Sequence, residues 1–348
     1  MERIRKNTLL SQQVKEKVSN GHAKKDEQDG NFGTVISTGS TLLDLAISGG
    51  RIRGGGLPGG ILVEIFGPSG SGKTVLLSEI AGTVQRQGGE IMFHDPEARL
   101  NTVFAKLFGL NLEEKDHHKP DRVTEVFKAV RAWQPENNRV NGIFADSLAA
   151  LSTQLEMEEE DGDKMGMRRA KEFSEELRKT CRVLAQKNYL MVCSNQIRQN
   201  MDAGQYGQKF QAPGGKAMEF YASLRLRTSI EKKHKLEKTF AGKKVERVIG
   251  VRAVVEVAKS SIWKPFHTAP LTILFDYGID DVRENLQFVK DFSKYNVYTL
   301  GGETLHKERD EAIKIVEEDG LEHQLREEVI DLWTEIESKF DSNRKPKR

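Results

Sequence analysis

The chain has 348 residues, 37% hydrophobic and 30% charged, enough to build a large buried core, and no stretch approaches the ~20 consecutive apolar residues of a membrane span. A formal net charge of +2 excludes a bulk polycation, so any surface for nucleic acid must come from local placement of charge. The segment from Met1 to Lys25 is polar and charged, with no apolar core of a signal peptide; Cys181 and Cys193 lack the paired spacing of a zinc site, and a disulfide framework is not expected in a reducing cytosol. A cytoplasmic protein with two ordinary buried thiols is expected.

Residues 1 to about 35 read as a separate arm, with a helix near Leu9 to Val18 ended by a polar stretch containing Gly21, Gly30 and Gly33. From Val35 onward short apolar runs alternate with helical patterns. Ile61 to Phe66 is a strand candidate, followed by a helix from about Lys73 to Arg86; Glu90 to Phe93, Ile143 to Ala145 and Tyr189 to Cys193 repeat the strand pattern. Such alternation predicts an α/β fold with a mostly parallel sheet and helices on both faces. Ala222 to Ile230 and Val245 to Ala258 are β-branched runs flanking a basic connector, Lys232 to Lys244, and predict an antiparallel pair added at the sheet edge. Beyond about Asp280 comes a smaller helix-rich module. It has a turn at Gly301-Gly302, an amphipathic helix from about Glu322 to Phe340, and a basic tail of Arg344, Lys345, Lys347 and Arg348.

The chemistry begins at Gly67-Pro68-Ser69-Gly70-Ser71-Gly72-Lys73-Thr74, which fits the phosphate-binding pattern G-x-x-x-x-G-K-[ST]. Glycines let successive backbone N–H groups point inward at phosphate oxygens, and the helix that follows adds its positive dipole end. Lys73 can reach the β- and γ-phosphates, and the Thr74 hydroxyl can ligate Mg²⁺. Asp146, after Ile143 to Ala145, stands at the carboxyl end of a strand, where it can either hold the metal's shell or cap the next helix. Glu97, in His94-Asp95-Pro96-Glu97, can orient or deprotonate a water for ATP hydrolysis; His94 beside it reads as a residue that packs or caps, not one that catalyses.

Ile36-Ser-Thr-Gly-Ser40, Leu57-Pro-Gly-Gly60, the phosphate loop, Asp95-Pro-Glu97, Asp146-Ser147, Asn195-Gln-Ile-Arg198 and Phe220-Tyr-Ala-Ser223 occur in that order. Their spacing resembles that of bacterial RecA recombinases from about residue 35 to 280, and more faintly through Val297 to Glu303. The resemblance implies an N-terminal oligomerisation arm (1–35), a RecA-like P-loop ATPase and DNA-binding core (36–280) and a small α+β C-terminal domain (281–348). It also implies a homo-oligomeric filament of ATP- and Mg²⁺-bound subunits on single-stranded DNA, exchanging strands with a homologous duplex away from any membrane.

By the same resemblance Glu97 is the water-activating glutamate, Gln196 the γ-phosphate sensor, and Lys259 a cation projected into a neighbouring subunit's ATP site. Asn101, Phe104 and Phe275 become nucleotide contacts. DNA would meet two loops. The first carries Met165, Gly166, Arg168, Arg169 and Lys171, with Arg178 beyond it. The second runs from Arg198, Gln199, Asn200 and Met201, past Tyr206, to Gly214, Gly215 and Lys216. Flexible backbone, scattered cations and apolar wedges suit single-strand binding. The chain departs from the family at Ser261, where a second interfacial lysine is usual, and at its basic rather than acidic tail. The residues leave open a ring helicase or KaiC-like regulator, a DNA-binding scaffold with weak ATPase, and a small-molecule kinase.

Overall fold

The computed structural model describes residues 33–151, 165–199, 210–211, 215–342 and 344; the arm helix expected near Leu9 to Val18 lies outside them. Val35–Ile36 (β1) pairs antiparallel with Leu57–Pro58 (β2) across helix α1, Thr41–Ser48. Then follow β3 (Leu62–Gly67), α2 (Lys73–Arg86), β4 (Ile91–His94), α3 (Thr102–Leu107), β5 (His117–His118) and α4 (Val123–Ala132). The next elements are β6 (Asn141–Ala145), α5 (Met165–Lys187), β7 (Tyr189–Gln196), the short pair β8 (Arg198–Gln199) and β9 (Phe210–Gln211), and α6 (Gly215–Tyr221). The sheet is completed by β10 (Leu224–Phe240), β11 (Lys243–Ser260), β12 (Thr268–Leu274) and β13 (Gly278–Ile279). The chain ends with α7 (Asp281–Phe292), the hairpin β14 (Tyr298–Leu300) and β15 (Glu303–His306), α8 (Arg309–Glu318) and α9 (Glu322–Ser338).

Nine strands form one sheet in the order β13-β12-β11-β10-β3-β7-β6-β4-β5. All pairings from β10 to β5 are parallel, and β10 through β13 are antiparallel. The central strands are covered on both faces, so they read as continuous apolar runs, yet successive residues serve opposite sides. Ile143 and Ala145 join one apolar cluster with α4 and α5, whereas Phe144 between them joins the other with α2. Likewise Tyr189, Met191 and Cys193 face one cluster, Leu190 and Val192 the other. Each buried side chain of this size contributes about 1.5–3 kcal/mol of transfer free energy.

Two expectations are corrected. The basic connector is not a loop: both strands run on through it and turn at Ala241-Gly242. Nor does the antiparallel pair lie at the sheet edge, because β12 and β13 continue the sheet outside it. Of the thiols, Cys193 is buried and Cys181 only half-buried.

The C-terminal helices extend the same core. Leu286, Val289, Val316, Leu325, Val329 and Trp333 belong to the apolar cluster that holds α1 and α2. Polar ties reinforce the contact: the Asp281 carboxylate accepts from Thr41 N and Thr41 Oγ1, both at 2.7 Å, and Arg53 pairs with Glu327 at 2.6 Å and Asp331 at 2.8 Å.

Candidate nucleotide site and DNA-facing elements

Parallel strands aim their carboxyl ends at one rim, and four of them deliver site residues there. β3 ends in the phosphate loop, β4 leads to Glu97, β6 to Asp146, and β7 ends at Gln196. Together they line a cleft of ≈ 410 Å³, within the usual range for a small-molecule site.

The loop's shape needs glycine at defined points. Gly72 precedes α2 at φ 86°, a left-handed conformation that side chains rarely adopt, and a Cβ there would strike Ile273. A Cβ on Gly67 would strike Thr228, whose hydroxyl shares a 2.7 Å hydrogen bond with Ser71 beneath the loop. Pro68 closes the turn through its carbonyl, which accepts from Ser71 Oγ at 2.7 Å. Ser69 and Gly70 line the cleft. Lys73 Nζ donates to the carbonyls of Gly67 (3.0 Å) and Pro68 (2.8 Å). Burial lowers its pKa, while Asp146 and Glu97 act in the opposite sense by stabilising the ammonium.

Thr74 Oγ1 donates to Asp146 Oδ2 at 2.6 Å, and Ser194 Oγ donates to the other carboxylate oxygen. Hydroxyl and carboxylate oxygens at this spacing are the hard donors that Mg²⁺ prefers. Glu97 lines the same cleft, its Oε1 accepting from Ser147 Oγ at 3.2 Å and its Oε2 paired with Arg99 at 2.9 Å. Asp95 shapes the segment behind it by accepting from the backbone N–H groups of Arg99 (3.2 Å) and Leu100 (3.0 Å), with His117 Nε2 3.3 Å from the same carboxylate.

Asn101 lines the cleft and caps α3, its Oδ1 accepting from Val103 N at 2.9 Å and Phe104 N at 3.1 Å. That leaves its Nδ2 as the group able to donate to a base. Phe104, braced edge-on by Phe108 at 4.5 Å, and Phe275 offer two half-exposed rings to the same cleft. His94 is buried, and among the described residues neither ring nitrogen has a hydrogen-bond partner. Burial, with a smaller contribution from neighbouring His118, depresses its pKa to about 3. It packs beneath the site as a neutral ring.

Lys259 does not line this cleft. It lies near the far end of β11, opposite Arg225, and Nζ donates to the carbonyls of Glu219 (2.7 Å) and Phe220 (3.0 Å) in α6. Burial and the Arg225 charge lower its pKa. Gln196 is paired beside Gly67, and two residues later Arg198 and Gln199 form β8. Met165, Gly166, Arg168 and Arg169 occupy the first turn and a half of α5, with Lys171 and Arg178 exposed farther along. Gly215 and Lys216 open α6, which packs on α5 through Met218. Asn200, Met201, Tyr206 and Gly214 lie outside the described residues.

Sequence reasoning missed Arg99, Ser147 and Ser194 as partners of the two site carboxylates. Ser147 was visible only as the residue after Asp146, and nothing local marked the other two.

The family profile of the RecA N-terminal domain matches residues 10–280. The chain is similar to Protein RecA of Delftia acidovorans, 34% identical over 302 residues, covering 85% of this chain and 78% of that protein. It is likewise similar to Protein RecA of Synechocystis, 33% identical over 306 residues, covering 85% of this chain and 82% of that one. With Protein RecA of Thermus thermophilus it shares 36% identity over 253 residues, 72% of this chain and 69% of the other. The sheet order, the phosphate loop and this extended similarity lead to one conclusion: the chain belongs to the RecA family of recombination proteins.

Proposed function

We propose that this protein is a DNA-dependent ATPase that assembles as a filament on single-stranded DNA and exchanges strands with a homologous duplex. One observation carries the reading: Gln196 lines the nucleotide cleft, and the same backbone enters β8 two residues later. A change at the γ-phosphate therefore has a direct covalent route to the segment expected to meet DNA.

ATP fits the cleft with its phosphates against the loop and Lys73, which exchanges its bonds to Gly67 and Pro68 for phosphate oxygens. Thr74 and Asp146 would hold Mg²⁺, which would supply neutralising charge to the phosphates when bound. Glu97 holds the attacking water and takes its proton, with Ser147 and Arg99 fixing the carboxylate's direction. Phe104 and Phe275 supply apolar faces for the base, and the Asn101 amide a polar contact. Lys259, which does not line its own cleft, would exchange its bonds to Glu219 and Phe220 to complete a neighbour's, making hydrolysis depend on assembly. A cytoplasmic location fits this activity, and among the described residues no helix is long and apolar enough to cross a membrane.

The test is a strand-exchange reaction with purified protein, ATP, Mg²⁺ and homologous single- and double-stranded DNA. Joint molecules that require ATP support the proposal. DNA-stimulated hydrolysis without joint molecules would reduce it to a single-strand-dependent ATPase.

A further inference from the structure

The basic segment from Lys232 to Lys244 takes no part in the nucleotide site. It forms the free end of the β10–β11 ribbon. β10 is paired to β3 only through Arg227, and β11 to β12 only from Gly250 onward, so beyond those points no described strand flanks the ribbon. From Lys235 opposite Val248 to Phe240 opposite Lys243 the register runs without a shift. At about 3.4 Å per residue this uninterrupted stretch is roughly 17 Å long.

Opposed residues of an antiparallel pair share a face, and successive pairs alternate faces. On one face Lys235 is bound to Glu246 at 2.8 Å and Lys244 to Glu237 at 2.7 Å, so that face neutralises itself. The other face carries Leu236 opposite Arg247, Lys238 opposite Val245, and Phe240 opposite Lys243. It holds three cations and no carboxylate. Among the described residues none of the three has an acidic partner; Arg247 Nη1 donates only to the Glu246 carbonyl, at 3.0 Å. Each row sets one cation beside one apolar side chain. At the tip Phe240 is 79% exposed and stands opposite Lys243, so the face ends in an apolar ring beside a cation.

We propose that this cationic, apolar face of the ribbon is a docking arm for duplex DNA, with Lys238, Lys243 and Arg247 against phosphates and Phe240 against the base edges. A two-stranded ribbon fits the major groove of B-form DNA, which gives the arm a site outside the loops that take single strands. Charge on one side only orients the ribbon toward a polyanion, and the rows of cations repeat along the direction in which a phosphate backbone would run. The choice of duplex DNA as occupant rests on the recombinase reading; the arm's two-faced charge does not.

The experiment uses the full chain and a labelled blunt duplex, titrated by fluorescence anisotropy across a salt series. The variant K238Q/K243Q/R247Q is expected to lower the log–log salt slope by about 3, and R247Q alone by about 1. Phe240→Ser should weaken duplex binding at an unchanged slope. E237Q/K244Q, which removes a neutral pair from the opposite face, should bind as the wild type does. Single-strand-stimulated ATP hydrolysis is followed in the same preparations. If the wild type lacks that stimulation, the recombinase reading fails, whatever the ribbon does. If stimulation is present and the triple variant keeps the wild-type duplex slope, the arm is refuted. It is refuted equally if R247Q leaves the slope unchanged, or if the opposite-face control loses as much duplex affinity as the triple variant.

Discussion

Glu64 lies in the middle of β3, fully buried, and joins three strands of the sheet. Its Oε1 accepts from Asn195 Nδ2 on β7 at 2.7 Å, and its Oε2 from Arg225 Nε on β10 at 2.6 Å. Arg225 also stacks over the Phe66 ring at 4.5 Å and has one further carboxylate, the half-exposed Glu219, at 3.4 Å. Replacing Glu64 with Ala leaves that guanidinium short of its buried counterion and strips Asn195 of its acceptor. Breaking such a buried pair costs about 3–5 kcal/mol, a large share of the ~5–15 kcal/mol that separates folded from unfolded states. Glu64→Gln keeps an acceptor for Asn195 but withdraws the charge, and should cost the ~1.5–3 kcal/mol of a charged hydrogen bond. Equilibrium urea unfolding followed by tryptophan fluorescence reads both values. The double variant Glu64→Ala/Arg225→Met should be less damaged than the two single variants combined, with a coupling of about 1–3 kcal/mol. Because Asn195 precedes Gln196 at the cleft, the Glu64 variants should also raise the KM for ATP. A Glu64→Ala protein within ~0.5 kcal/mol of wild type, or strictly additive effects in the cycle, would refute the reasoning.

Three further outcomes are expected. Glu97→Gln should bind nucleotide and DNA yet lose about 10²–10⁴-fold in hydrolysis, because an amide cannot take a proton; wild-type turnover would remove Glu97 from the mechanism. Lys73→Ala and Lys259→Ala should each be inactive alone with DNA but regain hydrolysis when mixed, since an intact phosphate loop can then adjoin an intact interfacial lysine; normal turnover by Lys259→Ala alone would exclude a role across the interface. The third concerns acid stability: His94 has an ordinary pKa of 6.5 and a folded pKa of about 3. The unfolded chain takes up this proton first, so stability is lost as pH falls below 6.5 toward 3, by about 2 kcal/mol at pH 5. His94→Phe should flatten the acid side of the stability profile by that amount, and parallel profiles for the two proteins would contradict the role given to burial.

What could be read directly from the chain was local. The helix Lys73–Arg86 and the loop before it were legible because glycine placement, the lysine and the following apolar period lie within one short segment. The strands Asn141–Ala145 and Tyr189–Gln196 were legible only over Ile143 to Ala145 and Tyr189 to Cys193, where both faces are buried and the residues run continuously apolar; their polar ends, Asn141 and Ser194 to Gln196, gave no such signal. The ribbon from Lys232 to Lys244 defeated the same reasoning. Both of its faces meet water, so no apolar alternation marks it as strand, and its pairing is held by cross-strand backbone bonds and ion pairs. The place of the β10–β11 pair's base inside the sheet was equally hidden, since only the strand order shows β12 lying outside it. The site divides in the same way. Residue types at the rim were readable, but the bonds of Ser147 to Glu97 and Ser194 to Asp146 each join segments about 50 residues apart. Those contacts exist because β4, β6 and β7 lie side by side, and a strand's own residues encode its faces far more strongly than the identity of its neighbour.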